Sequence, residues 1–80
     1  MWTHKVVKRA KGSDGRLFDY PTAGTFASEA DARSYAVQFA IEQGAAGVAG
    51  AEYTVRRRGG RCSTGVGEIV ATYAPGGASQ

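Results

Sequence analysis

The stretch VRRRGGRCSTGVG, residues 55–67, holds most of the chain's chemical capacity: Arg56, Arg57, Arg58 and Arg61, several glycines and the only cysteine, Cys62. Guanidinium groups pair bidentately with phosphate and carboxylate oxygens, and glycines let a backbone come close to a ligand. The other readings of this stretch fail on missing parts. A phosphate loop needs a lysine followed by Ser or Thr at the start of a helix, whereas this stretch has no lysine and leads into a strand pattern. A thiol nucleophile needs a base and an oxyanion site, and the only histidine, His4, belongs to a different predicted strand. One cysteine and one histidine cannot complete a tetrahedral metal site, and no two of the seven acids are placed to work as a catalytic pair. The pattern points to binding rather than turnover, with no enzyme activity, cofactor or metal expected.

The elements that must carry these residues can be read in order. Residues 2–10, WTHKVVKRA, are rich in β-branched and aromatic side chains and run into KGSDG, a hairpin turn signal. A second short strand, RLFDY, is expected to stop at Pro21, because proline donates nothing to a ladder, leaving PTAGT as connector. Ser28 with Asp31 three residues on forms a capping-box variant that opens a helix. Over 29–43 the helix places Ala32, Tyr35, Ala36, Phe39 and Ala40 on one face, and Gly44 is the expected stop. AEYTVRRR, 51–58, alternates as a third strand, with Ala51, Tyr53, Val55 and Arg57 on one side and Glu52, Thr54, Arg56 and Arg58 on the other. GEIVATY is the fourth strand, and PGGASQ, 75–80, is expected to be a frayed tail beyond an ordered core of about 2–74. The predicted architecture is a single α+β domain of order β-β-α-β-β, a four-stranded antiparallel sheet with the helix packed on one face.

Length and composition bound the function. Eighty residues make one domain with a thin core, 42% hydrophobic residues allow it to fold, and the net charge is +3. A lone cysteine makes no internal disulfide, and no apolar run is long enough to span a bilayer, so a cytoplasmic location without membrane contact is the default expectation. Nine of the ten basic residues fall outside the helix, which carries Arg33 together with Glu29, Asp31 and Glu42, so charge separates by element. One side of the molecule is expected to be basic.

One helix covers one side of a sheet, yet apolar residues are too many to point that way together, so some sit on the open face. A homodimer through that face is one outcome. The candidate partner-binding set is Arg56, Arg57, Arg58, Arg61, Lys5, Lys8 and Arg9, with Tyr53 beside the arginine run as an exposed aromatic anchor and Trp2 as a second.

The segment FASEADARSYAVQFAIEQGA, set between two strands and a third, is similar to small bacterial and phage domains in which Phe and Ser cap an alanine-rich helix. The layout as a whole resembles phage-encoded anti-CRISPR proteins, single compact domains without catalytic residues. That resemblance implies a type I inhibitor that binds a Cascade-type CRISPR effector and blocks target DNA engagement; it carries over no individual residue. The basic charge rules out DNA mimicry and requires contact with acidic protein or with the crRNA backbone. The alternative is a small basic nucleic-acid-binding domain, distinguished by steep, log-linear salt dependence on bare oligonucleotide.

Overall fold

A computed structural model describes residues 3–58 and 67–79. Five elements follow one another: β1 (His4–Lys11), β2 (Leu17–Phe26), α1 (Glu29–Ala45), β3 (Ala51–Arg57) and β4 (Glu68–Tyr73). The four strands form one antiparallel sheet in the order β2-β1-β3-β4. The expected α+β class and β-β-α-β-β order are both present. Because β1 lies between β2 and β3, those two strands run parallel, and α1 crosses over β1 to join them.

Alternation along β1 and β3 fixes the two faces. Val6, Val55, Tyr53 and Ala51 turn toward α1 and pack with Ala32, Ala36 and Ala40, which are fully buried. The alanines recur at every fourth position, so one flat stripe of the helix rests close on the strands. Phe26, Tyr35, Phe39 and Tyr53 make a chain of ring contacts along this layer, with centroid separations of 5.2, 6.1 and 5.3 Å.

The helix begins as its sequence requires: Ser28 Oγ accepts from the Asp31 N–H at 3.2 Å. Its end differs from expectation. Gly44 is inside the helix, and the stop is Gly47 at φ +87, where the Gly47 N–H donates to Gly44 O at 3.1 Å and the Val48 N–H to Gln43 O at 3.0 Å. This paired arrangement is a Schellman cap, which needs the left-handed residue that Gly47 supplies.

Two further expectations are corrected. β2 does not stop at Pro21 but continues to Phe26. It is an edge strand, and an N–H aimed away from the sheet is one proline can lack without loss. Pairing with β1 is irregular between Lys5 and Val7, and here the Thr22 hydroxyl takes over, donating to Val6 O at 2.8 Å and accepting from the Gly24 N–H at 3.1 Å. Residues 75–79, read as tail, pack on α1 and β4. The Gly76 N–H donates to Ala40 O at 2.8 Å, the Ala74 N–H to Ala78 O at 2.8 Å, and Ser79 bridges Tyr73. The glycines set this off: a Cβ on Gly44 would lie 2.6 Å from Gly76 N.

Candidate binding face

The side of the sheet opposite α1 carries Lys5, Val7, Arg9 and Lys11 from β1 and Glu52, Thr54 and Arg56 from β3, with Leu17 and Asp19 from β2 and Ile69 and Thr72 from β4 in register with them. Of the charged residues in this set, four are cations and two are carboxylates, so the face is net positive among the described residues.

Arg56 organises its centre. The side chain is 1% exposed and lies across the sheet from β3, over β1, to β2. Nη1 and Nη2 donate to the two carboxylate oxygens of Asp19 at 3.0 Å each, and Nε donates to Thr54 Oγ1 at 3.0 Å. Thr54 in turn donates to Val7 O at 2.9 Å. A buried guanidinium is tolerated only when its charge and donors are matched, and here a carboxylate and a hydroxyl supply the match. Arg9, the partner of Asp19 in register on β1, brings its Nε to 3.4 Å from Oδ1 of the same carboxylate. The Arg56 hydrogen bonds hold the Asp19 carboxyl below the usual carboxylate range, outweighing the opposing effect of partial burial, with Arg9 adding to the depression.

The expected site residues therefore divide. Lys5 and Arg9 stand on the open face as the alternation of β1 requires. Lys8 is on the helix side, where Nζ donates to Gln43 Oε1 at 3.0 Å, because it shares the parity of Val6. Arg57 is also off the open face: it pairs with His4 in register and with the Glu68 carboxylate as an exposed ion pair. Arg58 is exposed just beyond β3, its N–H donating to Thr3 O at 2.7 Å. Arg61 lies outside the described residues, as do Cys62 and Trp2.

Two of the expected contacts are corrected. Tyr53 is not an exposed anchor: it is fully buried under α1, edge-on to Phe39, and burial raises its hydroxyl pKa. Its position beside arginines in sequence misled because neighbours on a strand point to opposite faces. Arg56 is on the expected face but is an internal cation already held by Asp19, so it is part of the platform rather than an outstretched contact.

Sequence reasoning missed two contributors. Lys11 extends the β1 row of Lys5 and Arg9, and strand parity alone would have included it. Asp19 gives no signal in sequence, since its partner is 37 residues away and two strands across. On the other face, His4 is buried, with Nδ1 2.8 Å from the Thr3 hydroxyl and Nε2 4.0 Å from a Glu29 oxygen that also belongs to the Glu29–Arg33 pair. Among the described residues no group of three or more His, Cys, Asp or Glu could hold a metal ion, and no helix is long and apolar enough to cross a membrane. Comparison with known protein families, with curated proteins and with solved structures finds no match for this chain.

Proposed function

We propose that the chain is a non-catalytic binding module that docks the open face of its sheet onto an anionic surface of a larger assembly. The observation that supports this most directly is the placement of Lys5, Arg9 and Lys11 on the one face that α1 leaves uncovered, around the buried Arg56–Asp19 pair. The Arg56–Asp19 pair keeps that face rigid by tying β3 to β2 across β1. Rigid, pre-arranged cations lose little entropy on meeting an anion, and their field speeds encounter.

The finer reading, which rests on the resemblance to anti-CRISPR proteins, is an inhibitor of a type I CRISPR effector that blocks target DNA engagement. Its basic face would lie on acidic protein or on the crRNA backbone rather than imitate DNA. The test is direct: purified type I effector is mixed with the chain, and target-DNA binding is followed by mobility shift, with a bare oligonucleotide titrated against salt in parallel. Loss of DNA binding by the effector at stoichiometric amounts supports the reading. Tight, steeply salt-dependent binding to the oligonucleotide with no effect on the effector replaces the protein target with nucleic acid.

A further inference from the structure

Of the five large apolar side chains exposed among the described residues, Ile41 on α1 and Ile69 on β4 stand apart, and the other three are gathered at one place. Leu17, Phe18 and Tyr20 are 58%, 44% and 46% exposed, and all three belong to the first four residues of β2, an outer strand of the sheet. They do not share a face. Leu17 is in register with Lys11 and turns to the open side, while Phe18 and Tyr20 are in register with Ala10 and Lys8 and turn to the helix side. A partner resting on either face would cover only part of this set. What the three have in common is the edge, and a strand laid along the edge covers all of them.

The backbone there is available for such an addition. The Gly12 N–H donates to Arg16 O at 2.8 Å, so by alternation Phe18 and Tyr20 also turn their backbone groups toward β1. Leu17 and Asp19 therefore aim N–H and C=O outward, and Pro21 aims only a C=O. The remainder of the edge is interrupted by Pro21 and by the Thr22 bulge, and the opposite edge strand, β4, carries the returning segment through Ser79. Natural edges are protected by such devices, and residues 17–20 carry neither a proline nor a bulge.

We infer that this edge pairs with the same edge of a second copy, antiparallel, about a two-fold axis at Phe18. In that register Leu17 and Asp19 exchange backbone hydrogen bonds with Asp19 and Leu17 of the other copy, and the two Phe18 rings meet at the closely spaced, non-hydrogen-bonded position. Arg16 falls opposite Tyr20, a cation against a ring. Charge disfavours the neighbouring register on the Asp19 side, where two carboxylates would stand directly opposite each other, whereas at Phe18 no like charges oppose. Pro21 falls opposite Gly15, so the ladder ends where its donor is missing. A two-fold axis perpendicular to the sheet yields one eight-stranded sheet with both open faces on the same side, doubling the cationic surface. The pairing is thus edge to edge, in place of the face-to-face homodimer that the sequence suggested, and it stands whether or not the proposed partner is correct.

The experiment is sedimentation velocity of the full chain over a concentration series up to millimolar. A concentration-dependent rise from the 8.3 kDa monomer to twice that mass is expected. Phe18→Asp and Phe18→Lys should each weaken association about tenfold or more, and mixing the two should restore it as a heterodimer, which only an axis at residue 18 predicts. In a Cys62→Ser background, Phe18→Cys should cross-link to its own kind while Arg16→Cys does not, a readout that needs no disruptive side chain. A wild-type monomer at every concentration overturns the inference, as does a dimer unaffected by both charged variants, or cross-linking at Arg16→Cys but not at Phe18→Cys.

Discussion

Arg56 and Asp19 sit on strands that do not touch, and yet the guanidinium of one and the carboxylate of the other make two parallel hydrogen bonds of 3.0 Å across the intervening strand. Arg56 is 1% exposed and Asp19 retains 39% side-chain exposure, so the pair is buried at one end and wet at the other. Removing the wet partner strands the buried one. Asp19→Asn should destabilise the protein by about 2 kcal/mol, below the 3–5 kcal/mol of a fully buried pair because solvent still reaches the carboxylate side. The urea midpoint measures this. Arg56→Met, which removes the charge along with its need for a partner, should cost less than Asp19→Asn.

The same pair sets a pH dependence. Asp19 has a lower pKa folded than unfolded, so its contribution is fully present above the unfolded carboxylate value of about 3.9 and is lost as pH falls through the lower folded value. Thermal stability of the wild type should therefore drop on acidification below about pH 4. Asp19→Asn should show a shallower drop over that window. Equal slopes in the two proteins would mean that Asp19 is not held by Arg56 in solution.

Thr54 links this pair to the sheet. Its hydroxyl accepts from Arg56 Nε and donates to Val7 O, and it is fully buried. Thr54→Val keeps the shape and leaves a buried guanidinium N–H without an acceptor, at a cost of about 1–3 kcal/mol in chemical denaturation. Thr54→Ser, which retains the hydroxyl, should recover most of that loss.

These interactions also mark where the sequence stops being legible. Periodicity sufficed for the helix stripe of Ala32, Ala36 and Ala40, because a face repeats every turn whatever it packs against. The Ser28 cap was equally local. Pro21 was read as a strand end because the rule applied was that of a central strand, and whether a strand is central or at an edge depends on strand order, which no local pattern carries. Gly44 looked like a helix stop because its real reason for lacking a side chain, the approach of Gly76, comes from a segment 32 residues away. For the candidate face, strand parity was applied to β3 and not to β1, where it would have kept Lys5 and Arg9, added Lys11 and set Lys8 on the opposite side. The fate of Arg56 depended on Asp19, and parity says only which face a residue takes, not which charge waits there.

Gly44 provides a test in which two effects oppose. In an exposed helix, Gly→Ala stabilises by about 0.8–1 kcal/mol. Here the new Cβ would sit 2.6 Å from Gly76 N and 3.0 Å from its Cα, backbone atoms held by the Gly76 N–H to Ala40 O bond. Overpacking of this kind costs about 1–3 kcal/mol, so Gly44→Ala should lower the melting temperature despite the better helix former. A rise would mean that residues 75–77 move off the helix at little cost, and amide exchange at Gly76 would then be fast.

Binding should follow the cations that the fold leaves on the surface rather than those spent inside it. Arg56→Glu would set a carboxylate against Asp19 in a buried position and so confound any loss of binding with loss of fold. Lys5→Gln with Lys11→Gln changes the open face at its two ends, lowers the net charge by as much as one Lys→Glu reversal, and sets no new carboxylate beside Arg56, the partner of Lys5 in register. That double variant should keep the wild-type melting temperature within a few degrees and weaken binding to the proposed anionic partner, with a shallower salt dependence as two cations leave the contact. Lys8→Glu, on the opposite face, is the matched control and should bind as the wild type does. Equal loss from Lys8→Glu would mean that affinity tracks net charge alone, and the open face would lose its claim to be the docking surface.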